Sequence, residues 1–101
     1  MKKYISLISI KKISKSKKSK KKYEAKFIVN GKVKIVRFGS AGMSDYTQHK
    51  DAARMILYRL RHSKVGNKND PLSPAALSWY VSWSSKTLAG GIANYKKRFG
   101  F

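Results

Sequence analysis

The chain contains no cysteine, only two prolines and only four carboxylates among its 101 residues. Without cysteine there is no disulfide framework, no thiolate zinc site and no cysteine nucleophile. The four acids, Glu24, Asp45, Asp51 and Asp70, are too few and too scattered for a two-metal centre, in which several carboxylates converge on one point. Long apolar runs are lacking too. The longest, Tyr4–Ile10, is seven residues broken by two serines, whereas a membrane-spanning helix needs about 20 apolar residues. No G-x-S-x-G elbow is present, and Gly39–Gly42 does not lead into the Gly-Lys-Ser/Thr of a phosphate-binding loop. His49 and His62 are thirteen residues apart, which on a helix separates them by roughly 140° and makes them a poor ligand pair. Asp45, His49 and Asp51 lie close in sequence, but each has a structural explanation: Asp45 as a helix cap, His49 as a half-buried helix residue, Asp51 in a first helical turn. The sequence therefore predicts no enzyme, no metal and no cofactor.

What the chain has in abundance is positive charge. It carries 24 Lys or Arg and a formal charge of +20. Residues 1–22 hold ten lysines and no acid, and the remainder adds another +10, so the excess runs through the whole chain. Such self-repulsion opposes compaction, and a polyanion relieves it; nucleic acid, an anionic membrane surface and an acidic protein are the candidate partners. A surface charged only for solubility usually mixes both signs. Apolar residues at 42%, with twelve aromatics, exceed what a purely disordered basic tail contains, so part of the chain folds. At this length it forms one domain with one modest core.

Met1-Lys2-Lys3 followed by Tyr4–Ile10 imitates the start of a secretory signal. However, Lys11, Lys12 and Lys15 stand where a small-residue cleavage site belongs, so the segment is read as part of the mature protein. Tyr4–Ile10 suits a short strand, and Lys11–Lys22 a solvated basic arm. The division is thus a basic arm with a short strand over 1–22 and a compact domain over 23–101. Within that domain Tyr23–Val29 and Lys32–Phe38 flank Asn30-Gly31, the dipeptide best suited to a two-residue type I′ turn. That turn pairs Val29 with Lys32, Ile28 with Val33, Lys26 with Ile35 and Glu24 with Arg37. Tyr23, Ala25, Phe27, Val36 and Phe38 then share one face and can cover a core.

Three helices are predicted after the hairpin. The first starts at Ser44 or Asp45 and runs to about His62, with His49, Ala53, Ile56, Leu57 and Leu60 at helical spacing. The second starts at Ser73-Pro74, serine as cap and proline in the first turn. The third starts at Thr87, carries Leu88, Ile92 and Tyr95 on one stripe, and ends on Lys96-Lys97-Arg98, where cations favour the negative end of the helix dipole. Gly90-Gly91 weakens that third helix, which a close approach between helices would explain. Strands first and helices after give an α+β fold: a small antiparallel sheet of two or three strands followed by three helices.

From Tyr23 onward, Phe38-Gly39, the string Gly42-Met-Ser-Asp-Tyr-Thr-Gln-His-Lys-Asp51, Tyr58, Arg61-His62, Asp70-Pro71 and Ser73–Ser78 form an ordered set of motifs. Trp83, Thr87-Leu88, Ile92 and Tyr95–Phe99 complete it. In these residues the chain resembles a family of small basic proteins without assigned activity, encoded by nucleocytoplasmic large DNA viruses of the mimivirus, marseillevirus and phycodnavirus kinds. It departs from that pattern at Lys68-Asn69, where an aromatic often precedes the Asp-Pro. The resemblance implies a protein of the virion or of the infected host cell, in the virus factory or nucleus, and supplies no catalytic residues.

Charge and resemblance together lead to the expectation of a non-catalytic virion protein that binds nucleic acid, chiefly duplex DNA, without sequence preference. The contacts expected are from Lys11, Lys12, Lys15, Lys17, Lys18, Lys20, Lys21 and Lys22 in the arm, and from Lys50, Arg54, Arg61, Lys64, Lys96, Lys97 and Arg98 in the domain. Lysine dominates the arm, which favours point-charge contacts to phosphate over bidentate base reading. Trp79 and Trp83, four apart on one helix, are read as core in preference to stacking platforms. The alternative is a minor capsid protein whose basic arm follows acidic surfaces of neighbouring subunits.

Overall fold

The structure, a computed structural model, describes residues 8–16 and 20–101. Strands β1 (Ile8–Lys15), β2 (Lys21–Val29) and β3 (Lys32–Ser40) form an antiparallel sheet in the order β1-β2-β3. The helical half follows: α1 (Tyr46–His49), α2 (Ala52–His62), α3 (Pro74–Leu77) running directly into a π-helical turn at Ser78–Ser82, and α4 (Leu88–Phe99). This is the α+β fold that the sequence predicts.

The hairpin forms around Asn30-Gly31, with both residues at positive φ, 52° and 81°, as a type I′ turn requires. Its register pairs Val29 with Lys32, Ile28 with Val33, Lys26 with Ile35 and Glu24 with Arg37. Tyr23, Ala25, Phe27, Val36 and Phe38 are buried on one face. They pack against Ala76 and Leu77 of α3, Val81 of the π turn, and Tyr95 and Phe99 of α4. Helices therefore cover one face of the sheet. The other face leaves Val33 and Ile35 exposed beside Lys26 and Arg37.

Three features differ from the sequence expectation. The first strand spans Ile8–Lys15, so Lys11, Lys12 and Lys15 belong to the sheet instead of a loop; Tyr4–Leu7 lie outside the described residues. The register of β1 on β2 shifts between Ile10 and Lys12, which is a β-bulge: one extra residue on one strand resets the alternation. Ile8, Ile10 and Ile13 thereby all reach the core cluster, although their spacing is two and then three.

The long helix expected up to His62 is broken at Lys50, which adopts a left-handed conformation with φ 56°. Asp45 caps α1 by accepting from the Thr47 backbone N–H at 2.9 Å, while Gln48 Oε1 accepts from the Asp45 N–H at 3.1 Å. Asp51 then caps α2 afresh, accepting from Ala53 and Arg54 N–H. Two capping aspartates six residues apart define two helices where periodicity suggests one.

The apolar stripe of α2 is not covered. Ile56 and Leu57 are each 53% exposed and Leu60 is 68% exposed, because the core face of the sheet is already occupied by α3, the π turn and α4. The last two helices begin as predicted, at the Ser73 cap with Pro74 in the first turn and at the Thr87 cap. Gly91 is buried against Val81, and a Cβ there would collide with the Val81 carbonyl oxygen, with the Val81 carbonyl carbon 2.8 Å away. A close approach is thus the reason for a glycine in mid-helix.

Candidate nucleic-acid interface

A chain with so few acids cannot pair its cations, and the structure divides them into those used by the fold and those left outward. Lys22 is held at 2.9 Å by Asp45 and by Gln48 Oε1 at 2.6 Å, so this half-buried lysine serves to anchor β2 to α1. Lys50 Nζ donates to the carbonyls of Thr47 and Lys86. Arg98 donates to Tyr80 Oη and Asn69 Oδ1. Arg59 turns inward: its guanidinium lies 4.1 Å from the Trp79 ring and donates to the carbonyls of Trp79 and Trp83. Burial lowers the pKa of Arg59 from its ordinary value.

Two outward groups remain. One lies on the uncovered face of the sheet. Lys12 on β1 stands directly opposite Lys26 on β2, both exposed, and Arg37 on β3 pairs with Glu24 at 3.4 Å. Elsewhere on the sheet Lys11, at the bulge, and Lys15, opposite Tyr23, are also exposed, as are Lys20 just before β2 and Lys21 at its first position. Lys17 and Lys18 lie outside the described residues. Lys64, Lys96 and Lys97 are exposed elsewhere, the last two in the final turn of α4. The expected contact residues are thus dispersed over several faces. Lys26 was legible as a member of the group from the hairpin register alone, but its position facing Lys12 depends on the bulge.

The second group borders a cleft of about 620 Å³ between the open end of β2–β3, α2 and the π turn. Arg54, Leu57, Tyr58, Arg61 and His62 of α2 form one wall. Lys21, Gly39 and Ser40 border it from the sheet, and Ser78, Ser82 and Trp83 from the helical side. Tyr58 lies parallel to Trp83 at 4.1 Å with 1° between planes, and His62 stacks on Tyr58 at 4.1 Å. On the far side His49 sits 5.3 Å from Trp83. Trp79 is covered by Arg59 and by Lys68 Nζ at 4.8 Å. The tryptophans are half-buried and their faces meet partners within the protein.

Asp45, His49 and Asp51 do not converge on a common centre, and among the described residues no cluster of three His, Cys, Asp or Glu could hold a metal ion. Both aspartates are caps. His49 Nδ1 accepts from the Asp51 N–H at 2.9 Å, and its buried Nε2 has no partner. Burial, followed by the positive charge of Arg54, pushes the His49 pKa below the usual imidazole value. Among the described residues no helix is long and apolar enough to cross a membrane.

No curated protein and no solved structure matches this chain. A family model matches residues 11–62, from the bulge of β1 to the end of α2, and so includes the arginine wall of the cleft but not Ser78 and Ser82 of the π turn. That match spans more than half of the chain, which therefore belongs to a family of unknown function (DUF5754).

Proposed function

We propose that this is a non-catalytic, virion-associated basic protein that binds nucleic acid without sequence preference through phosphate contacts, serving to condense or package a genome. The observation that carries the reading is the placement of Lys12 opposite Lys26 on an uncovered sheet face. Like charges directly across two strands destabilise a sheet, and a bound phosphate converts that repulsion into attraction. An excess of twenty positive charges supports the same reading, since phosphate neutralisation needs cations in reach and little else.

A second reading, a minor capsid protein seated on acidic surfaces of neighbouring subunits, draws support from the exposed Ile56, Leu57 and Leu60 beside Arg61 and Lys64. A salt titration separates the two. With duplex DNA, log K against log salt should fall with a slope of about −0.9 per phosphate neutralised, or roughly −5 for six contacts, and scrambled duplexes should compete equally. A slope near zero, or strong discrimination against scrambled sequence, refutes nonspecific phosphate binding.

A further inference from the structure

We propose that the cleft between the open end of β2–β3, α2 and the π turn is a binding site for one unpaired strand of nucleic acid, taking a segment of one or two nucleotides. The inference rests on the nucleic-acid reading above and goes beyond it by giving the protein a preferred form of that ligand.

The size of the cleft comes first. At about 620 Å³ it falls within the roughly 300–1,000 Å³ of sites that enclose small organic ligands, which suits a nucleotide and excludes a duplex. Its chemistry points the same way. Arg54 and Arg61 are seven residues apart on α2, hence nearly two full turns and on one face, about 10 Å along the axis. Both line the cleft and both are exposed. That separation is too great to close on one phosphate, and it fits contacts to successive points along one chain. Guanidinium donors are also the residues best matched to phosphate oxygens.

The floor supplies the independent observation. Ser82 is only 2% exposed, lines the cleft, and its Oγ has no hydrogen-bond partner. A buried hydroxyl without a partner is costly, and a phosphate or sugar oxygen entering the cleft would satisfy it. Ser82 belongs to the π turn, a distortion that recurs at functional sites. The aromatic lining then completes the site: His62, stacked on Tyr58 at one face, borders the cleft and offers a ring on which an unpaired base can continue the stack. A base held in a duplex cannot reach it.

The test compares a fluorescein-labelled oligothymidylate with a duplex of equal length, by anisotropy at several salt concentrations, using the full chain. Two double variants each remove two charges: Arg54→Gln with Arg61→Gln in the cleft, and Lys96→Gln with Lys97→Gln on α4. All four side chains are exposed, and circular dichroism checks that the fold is retained. The cleft variant should lose about tenfold or more of its single-strand affinity, while the α4 variant loses much less; on duplex the two should weaken alike. Ser82→Ala should lower single-strand affinity with duplex binding unchanged. Equal losses of single-strand affinity in both double variants overturn the cleft assignment while leaving general phosphate binding standing. Failure to bind either nucleic acid refutes the underlying reading, and the cleft assignment with it.

Discussion

Replacing Gly91 by alanine opposes two effects of calculable size. Alanine in a helix interior is favoured over glycine by about 1 kcal/mol, so on propensity alone Gly91→Ala stabilises α4. The added methyl, however, would collide with the Val81 carbonyl oxygen and lie 2.8 Å and 3.1 Å from the Val81 carbonyl carbon and Cα. These are backbone atoms of the π turn and have no rotamer by which to yield. Overpacking of this kind costs roughly 1–3 kcal/mol, and a backbone obstacle places the cost at the upper end. Relief requires α4 to move away, taking Tyr95 and Phe99 from the core they fill. The net expectation is a loss of about 2 kcal/mol, which in a domain of this size lowers the melting temperature by roughly 8–16 °C. Thermal denaturation followed by circular dichroism measures it, with Ala93→Gly, at an exposed site on the same helix, as the propensity control at about 1 kcal/mol. A Gly91→Ala protein as stable as the parent, or more so, would refute the close approach of α4 to the π turn.

Gly31→Val tests the turn: nothing lies within 4 Å of a Cβ at Gly31, so the whole cost is the positive φ, about 1–3 kcal/mol, and an unchanged urea midpoint would show that the type I′ turn is not formed. His49 gives a pH dependence. Its folded pKa lies below the ordinary value of about 6.5, so the folded state binds fewer protons than the unfolded one; the contribution is complete above that value and is lost as pH falls through it towards the folded pKa. Protonating Nδ1 also removes the acceptor for the Asp51 N–H. Urea midpoints at neutral and mildly acidic pH should converge less in the parent than in His49→Gln, and the same pH slope in both proteins would exclude His49 as its source.

The parts of the fold legible in the sequence are those where one residue type leaves a single geometric solution. Asn30-Gly31 determines the turn, the turn determines the register, and the register sorts every side chain of β2 and β3 onto its face. Ser73-Pro74 and Thr87 mark helix starts for the same reason. β1 was legible only over Ile8–Ile10, because the bulge at Lys11 breaks the alternation by which a strand is recognised and the lysines beyond it read as a loop. The break at Lys50 was hidden because Asp45 and Asp51 are both competent caps, and apolar spacing is continuous across them. Periodicity also shows which residues share a face, not whether a partner covers it: Ile56, Leu57 and Leu60 line up as a core stripe and remain outside. The cleft was legible least of all. Arg54 and Arg61 stood out as cations, but Ser82, silent in sequence, acquires meaning only when the π turn buries it in the cleft that they also line.

The four acids show what the charge balance is for. Asp45 and Asp51 cap α1 and α2, Asp70 accepts from the Leu72 N–H at 2.9 Å, and Glu24 meets Arg37 across the hairpin. Three of the four therefore sit where a short side chain must present an oxygen to backbone N–H groups at a helix start or turn, a task that serine and threonine perform neutrally at Ser73 and Thr87. Acids persist in this chain chiefly for capping geometry, and neutralisation of lysine is incidental to it. A fold selected for balanced surface charge would place a carboxylate opposite Lys12 or Lys26; instead these two lysines face each other on the uncovered side of the sheet, and the remaining exposed cations are spread over several faces. The repulsion among them is tolerated in the isolated protein because solvent and salt screen exposed charges. It becomes useful when a polyanion arrives, since each phosphate bound then removes an unfavourable interaction as well as adding a favourable one.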